Sequence, residues 1–486
     1  MENSKVIQIL RTFSPKEINE FEKFVASPYF STGRNADGLF NILKNYYPAF
    51  DSPELDRELV FKKLFPGEKF NQKKFVNVAS ALVQLAEQFI VYERFKKDSF
   101  EVDLTLSKEY FYRENFKLFY STISALQKKT DKLPFNRERT FKDKEVISRY
   151  EYSYYLKFYQ YDKAIPLMGK TAEYSTLYFI IMFIKSLCYK LKAQDLLKSS
   201  IENPLVEVVF DGLDLEKIME SLRKRNYEYI WLLELYYYTY RFHSDYDDVD
   251  SYYMARKGFN QHKEKYSRFE KHFILEDFLS FCIKRTSMGD SSFTREKFEV
   301  CKQIKDENAL TVDDNMTYEL IKFRNTFYAA LKAKEFDWLE EFIKDCVPML
   351  LPQHRKSMKN FSLSRLEFER GNFEDALTFA SKIKYDMFIY KLDVKNLLLL
   401  IYYELELFDQ AESMIDTFKH FIKNNKDYSK EFLARFKDFI DVYTSLFKAR
   451  STGKIKDVDL LLKKTEDINA LPFRTWFLTK IKEFQK

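Results

Sequence analysis

The densest group of carboxylates in the chain is the run 245–250, Asp-Tyr-Asp-Asp-Val-Asp, which could bind calcium or cap a helix. In an EF-hand loop, the positions held here by Val249, Asp250 and Arg256 would carry an oxygen ligand, a glycine and a glutamate. None of these three requirements is met. We therefore interpret the run as the N-terminal cap of a helix, where carboxylates bind backbone N–H groups and complement the helix dipole.

Other residue types that serve catalysis or metal binding are scattered along the chain. The five histidines show no HExxH spacing, and the four cysteines form no CxxC pair. The nine glycines build no phosphate-binding loop and no GxSxG nucleophile elbow. We expect a non-enzymatic protein without metal or cofactor, whose cysteines are reduced and buried.

The most basic stretch runs from residue 128 to 149 and carries eight Lys or Arg residues against four acids. Such a stretch could contact phosphates, and four of its residues would be the nucleic-acid contacts: Lys128, Lys129, Arg137 and Arg139. A solvated helix face has the same composition. Because no base-stacking motif accompanies the charges, the sequence favours the solvated face.

The composition of the whole chain predicts an all-α protein. Only 9 of the 486 residues are glycine and 11 are proline, whereas 49 are phenylalanine and 34 are tyrosine. Few helix breakers and many large apolar side chains favour long, well-packed helices, although AT-rich codons would also raise the aromatic content. A chain of this length exceeds one compact core, so it forms several domains or a solenoid.

The first 100 residues predict a compact helical domain of four or five helices. Ser14-Pro15-Lys16-Glu17 is a capping box with proline at the first helical position. Ser52-Pro53 begins a second helix, and a long apolar stripe runs from Gln72 to Arg94. We place the domain boundary near the polar stretch 96–101.

Residues 101–486 predict successive pairs of helices. Phe373 and Ala376 recur 35 residues later as Phe408 and Ala411. An aromatic residue that begins the second helix fills the seam, and a small residue three positions later allows close helix approach. Two further pairs of positions fit the spacing less well, and residues 203–214 are interpreted as a loop. These pairs are Phe336/Leu339 and Tyr161/Ala164, the latter followed 33 residues on by Gln194/Leu197.

This pattern resembles a degenerate tetratricopeptide-repeat array, whose period is 34 residues. The glycine of the family's first helix is replaced by Ser364 and Leu399 in the two clearest units. The chain is also similar to uncharacterised helical-repeat proteins of AT-rich bacteria that begin with a Ser-Pro-capped helix. The apolar stripe at residues 473–484 is interpreted as a capping helix, with a partner-binding helix as the alternative.

The resemblance implies a scaffold that binds a protein or peptide in the groove of the array. Arg and Asn side chains in such grooves hold peptide carboxylates or backbone, and tyrosines supply contact area. The alternative is that the same side chains pack between repeats. The groove residues implied by the family's positions are Arg149, Arg324, Tyr328, Arg365, Phe368, Asn396 and Tyr403.

A second interpretation is a regulator with an N-terminal nucleic-acid-binding domain. Residues 55–75 faintly resemble the helical part of winged-helix activators. No clear β-wing follows, although residues 100–106 form a short alternating segment. The basic contacts would then include Lys69, Lys73 and Lys74. Net charge does not decide between the interpretations, since +6 is small for this length.

The sequence also predicts a cytoplasmic protein without membrane insertion. The first residues carry charges and lack the apolar core of a secretory signal. The longest apolar runs, Leu177–Ile184 and Leu397–Tyr403, are much shorter than the roughly 20 residues that span a bilayer.

Overall fold

The fold is all-α, as the composition predicted. The computed structural model describes residues 1, 4–30, 35–136, 138–197, 201–384, 388–424, 430–452, 458–468 and 471–485. Over these residues, the β-type pairing is a single parallel bridge between Phe135 and Tyr266. The chain divides into two compact units, which comprise residues 1–133 with 137–180 and residues 134–136 with 181–486.

The first five helices enclose one apolar core. Phe21 is completely buried there, and its ring lies 5.4, 4.9 and 5.2 Å from those of Phe13, Phe40 and Phe89. The predicted capping box is confirmed: the Ser14 N–H donates to Glu17 at 2.9 Å, and the Glu17 N–H donates to Ser14 at 3.3 Å. The helices are α1 (Lys5–Leu10), α2 (Pro15–Ala26), α3 (Ala36–Lys44), α4 (Arg57–Leu64) and α5 (Gln72–Lys97).

Helix α5 is the central helix of this core. It is also long and apolar enough to cross a membrane by length and composition alone. Five of its large apolar side chains are nevertheless buried against α1–α4, which is how the core helix of a globular unit packs. They are Phe75, Val78, Leu82, Leu85 and Phe89.

The next four helices complete the first unit and begin the second. They are α6 (Ser99–Tyr112), α7 (Phe116–Thr130), α8 (Thr140–Lys157) and α9 (Tyr161–Leu197). Asp98 alone separates α5 from α6, and it caps α6 by accepting from the Glu101 N–H at 3.3 Å. The short alternating segment 100–106 lies inside α6. Phe100 and Leu104 recur on a helical spacing and are buried against α7.

Two predictions fail in the middle of the chain. A new helix was expected near Gln194, but α9 continues unbroken to Leu197. Residues 203–214 were expected to form a loop, yet α10 occupies most of them, with Pro204 at its first position. The backbone N–H at the first position of a helix has no partner within the helix, so proline loses no hydrogen bond there, and its fixed φ is helical. These two effects outweigh the lower helix propensity of the β-branched residues that follow. The helices of this region are α10 (Pro204–Gly212), α11 (Leu215–Lys224), α12 (Ile230–Ser244), α13 (Val249–His262), α14 (Arg268–Ser287) and α15 (Phe293–Asp306).

The acidic run 245–250 caps α13, as predicted. Asp248 accepts the Ser251 N–H at 3.0 Å, and Asp245 accepts the Asp247 N–H at 2.9 Å. Arg241 also pairs with Asp248 at 3.1 Å. These carboxylates therefore cap the N-terminus of α13 and its preceding turn.

The last part of the second unit is built from consecutive pairs of packed helices. The predicted close-approach residues Leu339, Ala376 and Ala411 are completely buried in these pairs. Ala164, the corresponding residue in the first unit, is buried as well. The helices are α16 (Leu320–Lys332), α17 (Phe336–Cys346), α18 (Pro352–Arg370), α19 (Phe373–Ala380), α20 (Phe388–Glu404), α21 (Phe408–Asn424), α22 (Lys430–Thr452), α23 (Val458–Asp467) and α24 (Arg474–Lys482).

Three of these pairs share one turn, a Schellman motif with a left-handed residue. The left-handed residues are Lys334, Gly371 and Glu406, with φ of 60°, 84° and 55°. In each turn the next residue donates its N–H to the carbonyl five positions earlier, as Asn372 does to Glu367 at 2.9 Å. The aromatic residue that begins the second helix always lies two positions after the left-handed residue, which explains the regular spacing of Phe336, Phe373 and Phe408.

All four cysteines are buried, as expected, and none of them forms a disulfide bond. Burial raises the pKa of Cys282, Cys301 and Cys346 to about 12. Their thiols therefore stay protonated near neutral pH and behave as small apolar side chains.

Candidate functional site

A largely buried ion pair links α16 and α20, the first helices of two of the last pairs. Arg324 on α16 binds Asp393 on α20 through two bonds, Nε to Oδ2 at 2.7 Å and Nη2 to Oδ1 at 3.2 Å. The Asp393 side chain is only 11% exposed. A two-bond arrangement fixes the orientation of both groups, so it sets the positions of two helices that are not adjacent in the chain.

The pKa of Asp393 is raised because burial disfavours its charged form. Hydrogen bonds from Arg324 and Tyr328, together with the charge of Arg365, oppose that shift without cancelling it. The Arg324 guanidinium also lies over the Tyr328 ring, 4.9 Å from its centre. The structure thus gathers three of the residues predicted for the groove around one carboxylate.

Arg365 lies on α18, between two aromatic rings. Its guanidinium carbon is 5.3 Å from the centre of Phe368 and 4.6 Å from that of Phe473. One nitrogen binds Glu369, whereas Nε and Nη1 are buried and have no hydrogen-bond partner among the described residues. Buried donors without partners are uncommon, which makes this arginine the most distinctive polar group on the face.

The residues predicted for the groove differ in how deeply they are buried. Arg365, Phe368, Asn396 and Tyr403 are all buried, between 1% and 6% exposed. Arg324 and Tyr328 are half-buried. Arg149 lies on α8 in the first unit, where it is exposed and pairs with Glu145 at 3.3 Å. The four buried residues pack between helices, and the C-terminal segment covers part of them.

That covering segment is α24 with the residues before it. Trp476 donates from Nε1 to Glu404 Oε1 at 2.6 Å, and its ring lies 5.1 Å from that of Tyr403 in an edge-on arrangement. Lys480 pairs with the same Glu404 at 2.8 Å. Glu404, the last residue of α20, is therefore the polar anchor of α24 on this face.

The apolar side of α24 completes the contact. Phe477 and Ile481 are completely buried, and the Phe477 ring is 5.3 Å from Phe439 on α22. Sequence reasoning placed these residues on one helix face but missed Asp393 and Glu404. Both acids lie at helical spacing on α20, and neither has a basic residue three or four positions away on that helix, which would have been the available signal.

Of the six described basic residues of the nucleic-acid interpretation, three are engaged with acids. Lys74 pairs with Glu68 at 2.7 Å, Lys129 with Asp103 at 3.3 Å and Arg139 with Asp98 at 2.9 Å. Lys69, Lys73 and Lys128 are exposed, and the described part of the chain contains no ion pair for them. Arg137 lies outside the described residues. A carboxylate beside a basic side chain offsets its attraction for phosphate, so the three paired residues are less available to nucleic acid than the three unpaired lysines.

One other charged cluster is buried in the second unit. Asp277 on α14 pairs with Lys192, and the Nε2 of His243 lies 3.4 Å from the same carboxylate. Burial alone would raise the pKa of Asp277, but Lys192 and His243 outweigh burial and lower it. Burial also lowers the pKa of His243. A charge pair closed off in this way holds α9, α12 and α14 together.

Among the described residues, no group of three or more His, Cys, Asp or Glu side chains is arranged to hold a metal ion. No protein-family model, curated protein sequence or solved structure matches this chain.

Proposed function

We propose that this protein is a non-enzymatic, cytoplasmic adaptor, and that it binds a protein or peptide on the face formed by α16, α18 and α20. The helical pairs would form a tetratricopeptide-like array, with this face as its groove. The observation that carries the proposal is that the face already holds a helix, α24, through Glu404, Tyr403 and Arg365. A surface that binds one amphipathic helix has the chemistry to bind another.

The polar residues on the face support the same proposal. Arg324 and Tyr328 are half-buried, so each still presents part of its side chain. Arginine and tyrosine are the residue types that contribute most to protein interfaces, because they combine large contact area with hydrogen bonding. The ion pair to Asp393 holds Arg324 in one orientation, which lowers the entropy cost of binding.

The test is affinity purification of the tagged full-length chain from its own host, with half of each sample treated with nuclease. We expect a protein partner that persists after nuclease and is lost with Tyr328→Ala. Tyr253→Ala is the matched control, because Tyr253 is a half-exposed tyrosine on α13. A partner set that disappears with nuclease would overturn the proposal, and so would one retained by Tyr328→Ala.

A further inference from the structure

We propose that residues 471–484 are an intramolecular occupant of the binding face, and that the partner is an amphipathic helix that competes with them. The competing helix would carry an aromatic residue and, four positions later, a lysine. This inference rests on the proposed function, because it names the partner class and the regulation of the same face.

The polar part of the pattern comes from Glu404. Its side chain is 10% exposed, and both of its hydrogen-bond donors among the described residues lie on α24. They are the Trp476 indole at 2.6 Å and the Lys480 ammonium at 2.8 Å. When α24 leaves, this carboxylate loses both donors, so a competing helix has to supply equivalent ones.

The apolar part of the pattern comes from the neighbours of those donors. Phe477 and Ile481 follow Trp476 and Lys480 by one position each, and both are completely buried. Residues four apart lie above one another on a helix, so the four side chains form two adjacent rows on one face. A helix that presents aromatic, apolar, lysine and apolar residues at the same positions fits the surface equally well.

The segment before α24 makes a less favourable contact, which a partner could improve. Phe473 covers the Arg365 guanidinium at 4.6 Å but offers its Nε and Nη1 groups no acceptor. Phe473 also has a φ of 57°, a left-handed conformation that a residue with a side chain rarely adopts. A partner that places a carbonyl oxygen against Arg365 would form a hydrogen bond that the chain's own segment does not form.

Helix α24 is suited to leave the face. It has nine residues and no side-chain cap at its N-terminus. A helix of that length does not persist alone in water, so its helical state depends on the contacts it makes here. Loss of those contacts releases and unfolds the segment together, which exposes the face to a competitor.

The experiment uses a fluorescent peptide with the sequence of residues 471–486 as the probe, titrated into full-length protein. We expect the peptide to bind the wild-type chain weakly, because α24 already occupies the face. Trp476→Ala should bind it at least about ten-fold more tightly, since a weakened occupant competes less. Adding Glu404→Gln to Trp476→Ala should remove most of that gain.

Lys480→Glu is a second opening variant and has a matched control on the same helix. Lys480 faces Glu404, whereas Lys482 is exposed and makes no ion pair in the described part of the chain. Lys480→Glu should raise peptide affinity and Lys482→Glu should leave it unchanged. Circular dichroism shows whether each variant keeps the wild-type helix content.

Equal peptide affinity for the wild type, Trp476→Ala and Lys480→Glu would overturn the inference. Peptide binding to Trp476→Ala that stays equally tight after Glu404→Gln is added would overturn it as well. Amide hydrogen exchange in α24 as slow as in α20 would also contradict it. If peptide competition behaves as expected but no cellular protein co-purifies, the occupant is real and the adaptor function fails. A co-purifying partner that depends on Tyr328 but never displaces the peptide would support the adaptor function and contradict the intramolecular occupant.

Discussion

The core of α1–α5 and the interior of α18 and α20 differ in the kinds of side chain that they bury. No polar or charged residue is buried among the described residues of the first region. The second region buries six of them within two helices, namely Asn360, Ser362, Ser364, Arg365, Asp393 and Asn396. Both regions are helical and rich in aromatic residues, so secondary structure and composition do not explain the difference.

The apolar core of α1–α5 contributes mainly stability, whereas the buried polar groups of α18 and α20 mainly determine which side chains can meet. An apolar core tolerates substitutions of similar volume, because its interactions are non-directional. A buried ion pair costs desolvation energy and stabilises little by itself, but it fixes which groups can meet. The interior of α18 and α20 therefore fixes the positions of side chains on the face that we propose binds a partner.

The sharpest test of the first region is Phe21→Ala. Deletion of a completely buried ring that touches three other phenylalanines should cost about 3–5 kcal/mol. Hydrogen exchange of the α5 amides measures the loss locally. Tyr29→Ala, at a side chain that is 89% exposed, should cost no more than about 0.5 kcal/mol. Similar costs at the two sites would mean that α1–α5 do not depend on one apolar core.

The corresponding test of the second region is Asp393→Ala. Removal of the carboxylate leaves Arg324 half-buried without its partner, which should cost about 3 kcal/mol. Replacement of both, Arg324→Met with Asp393→Leu, should restore stability to within about 1 kcal/mol of the wild type. Tryptophan fluorescence during urea unfolding follows this unit, because Trp231, Trp338 and Trp476 all lie in it. If the double variant is as unstable as the single one, the pair is a source of stability and the contrast between the regions disappears.

The turns of the helical pairs offer a smaller and opposite effect. Lys334 and Glu406 adopt the left-handed conformation that Gly371 adopts in the equivalent turn. Lys334→Gly and Glu406→Gly should each stabilise the protein by up to about 1 kcal/mol, since glycine adopts that conformation without steric cost. Gly371→Ala should destabilise it by a similar amount, and thermal unfolding measures all three. Destabilisation by both glycine substitutions would show that these turns are held by their side chains instead.

The smallest effect concerns pH and should have opposite signs in the two regions. Hydrogen bonds from the Ser14 N–H and hydroxyl lower the pKa of Glu17, whereas burial raises the pKa of Asp393. The contribution of Glu17 is present above its unfolded pKa and is lost as the pH falls through its lowered folded pKa. The contribution of Asp393 declines as the pH rises from its unfolded pKa through its raised folded pKa.

NMR titration of the side-chain carboxyl carbons measures both groups. Ser14→Ala should return the pKa of Glu17 toward its ordinary value and leave that of Asp393 unchanged. Shifts of the same sign for the two carboxyls in the wild type would contradict the contrast drawn from their surroundings.

The sequence predicted local structure best where one side chain and one backbone group decide the outcome. The capping box at Ser14 and the cap at Asp248 are examples, because their partners lie three residues away. The continuation of α9 past Gln194 depends on wider context, which local spacing does not contain. The close-approach residues Ala376 and Ala411 were predictable because a recurring turn fixes their position.

The sequence named several residues of the candidate face, but it named neither Asp393 nor Glu404, and it did not predict how deeply the face is buried. Family resemblance placed Arg324, Tyr328 and Arg365 on one face, and the structure brings them together around Asp393. Their burial depends on contacts with distant segments, above all the stacking of Phe473 on Arg365. Periodicity specifies which way a residue faces along its own helix. It carries no information on which remote segment covers that face.

The buried thiols make it practical to test the proposed release of α24 with a cysteine label. Four buried cysteines, three of them with pKa values near 12, should resist alkylation and air oxidation in the native state. Thiol reagents should therefore label the wild-type chain only slowly in its native state. A single Lys482→Cys substitution would place one reactive handle on α24, and a dye attached there would report its departure from the face in real time.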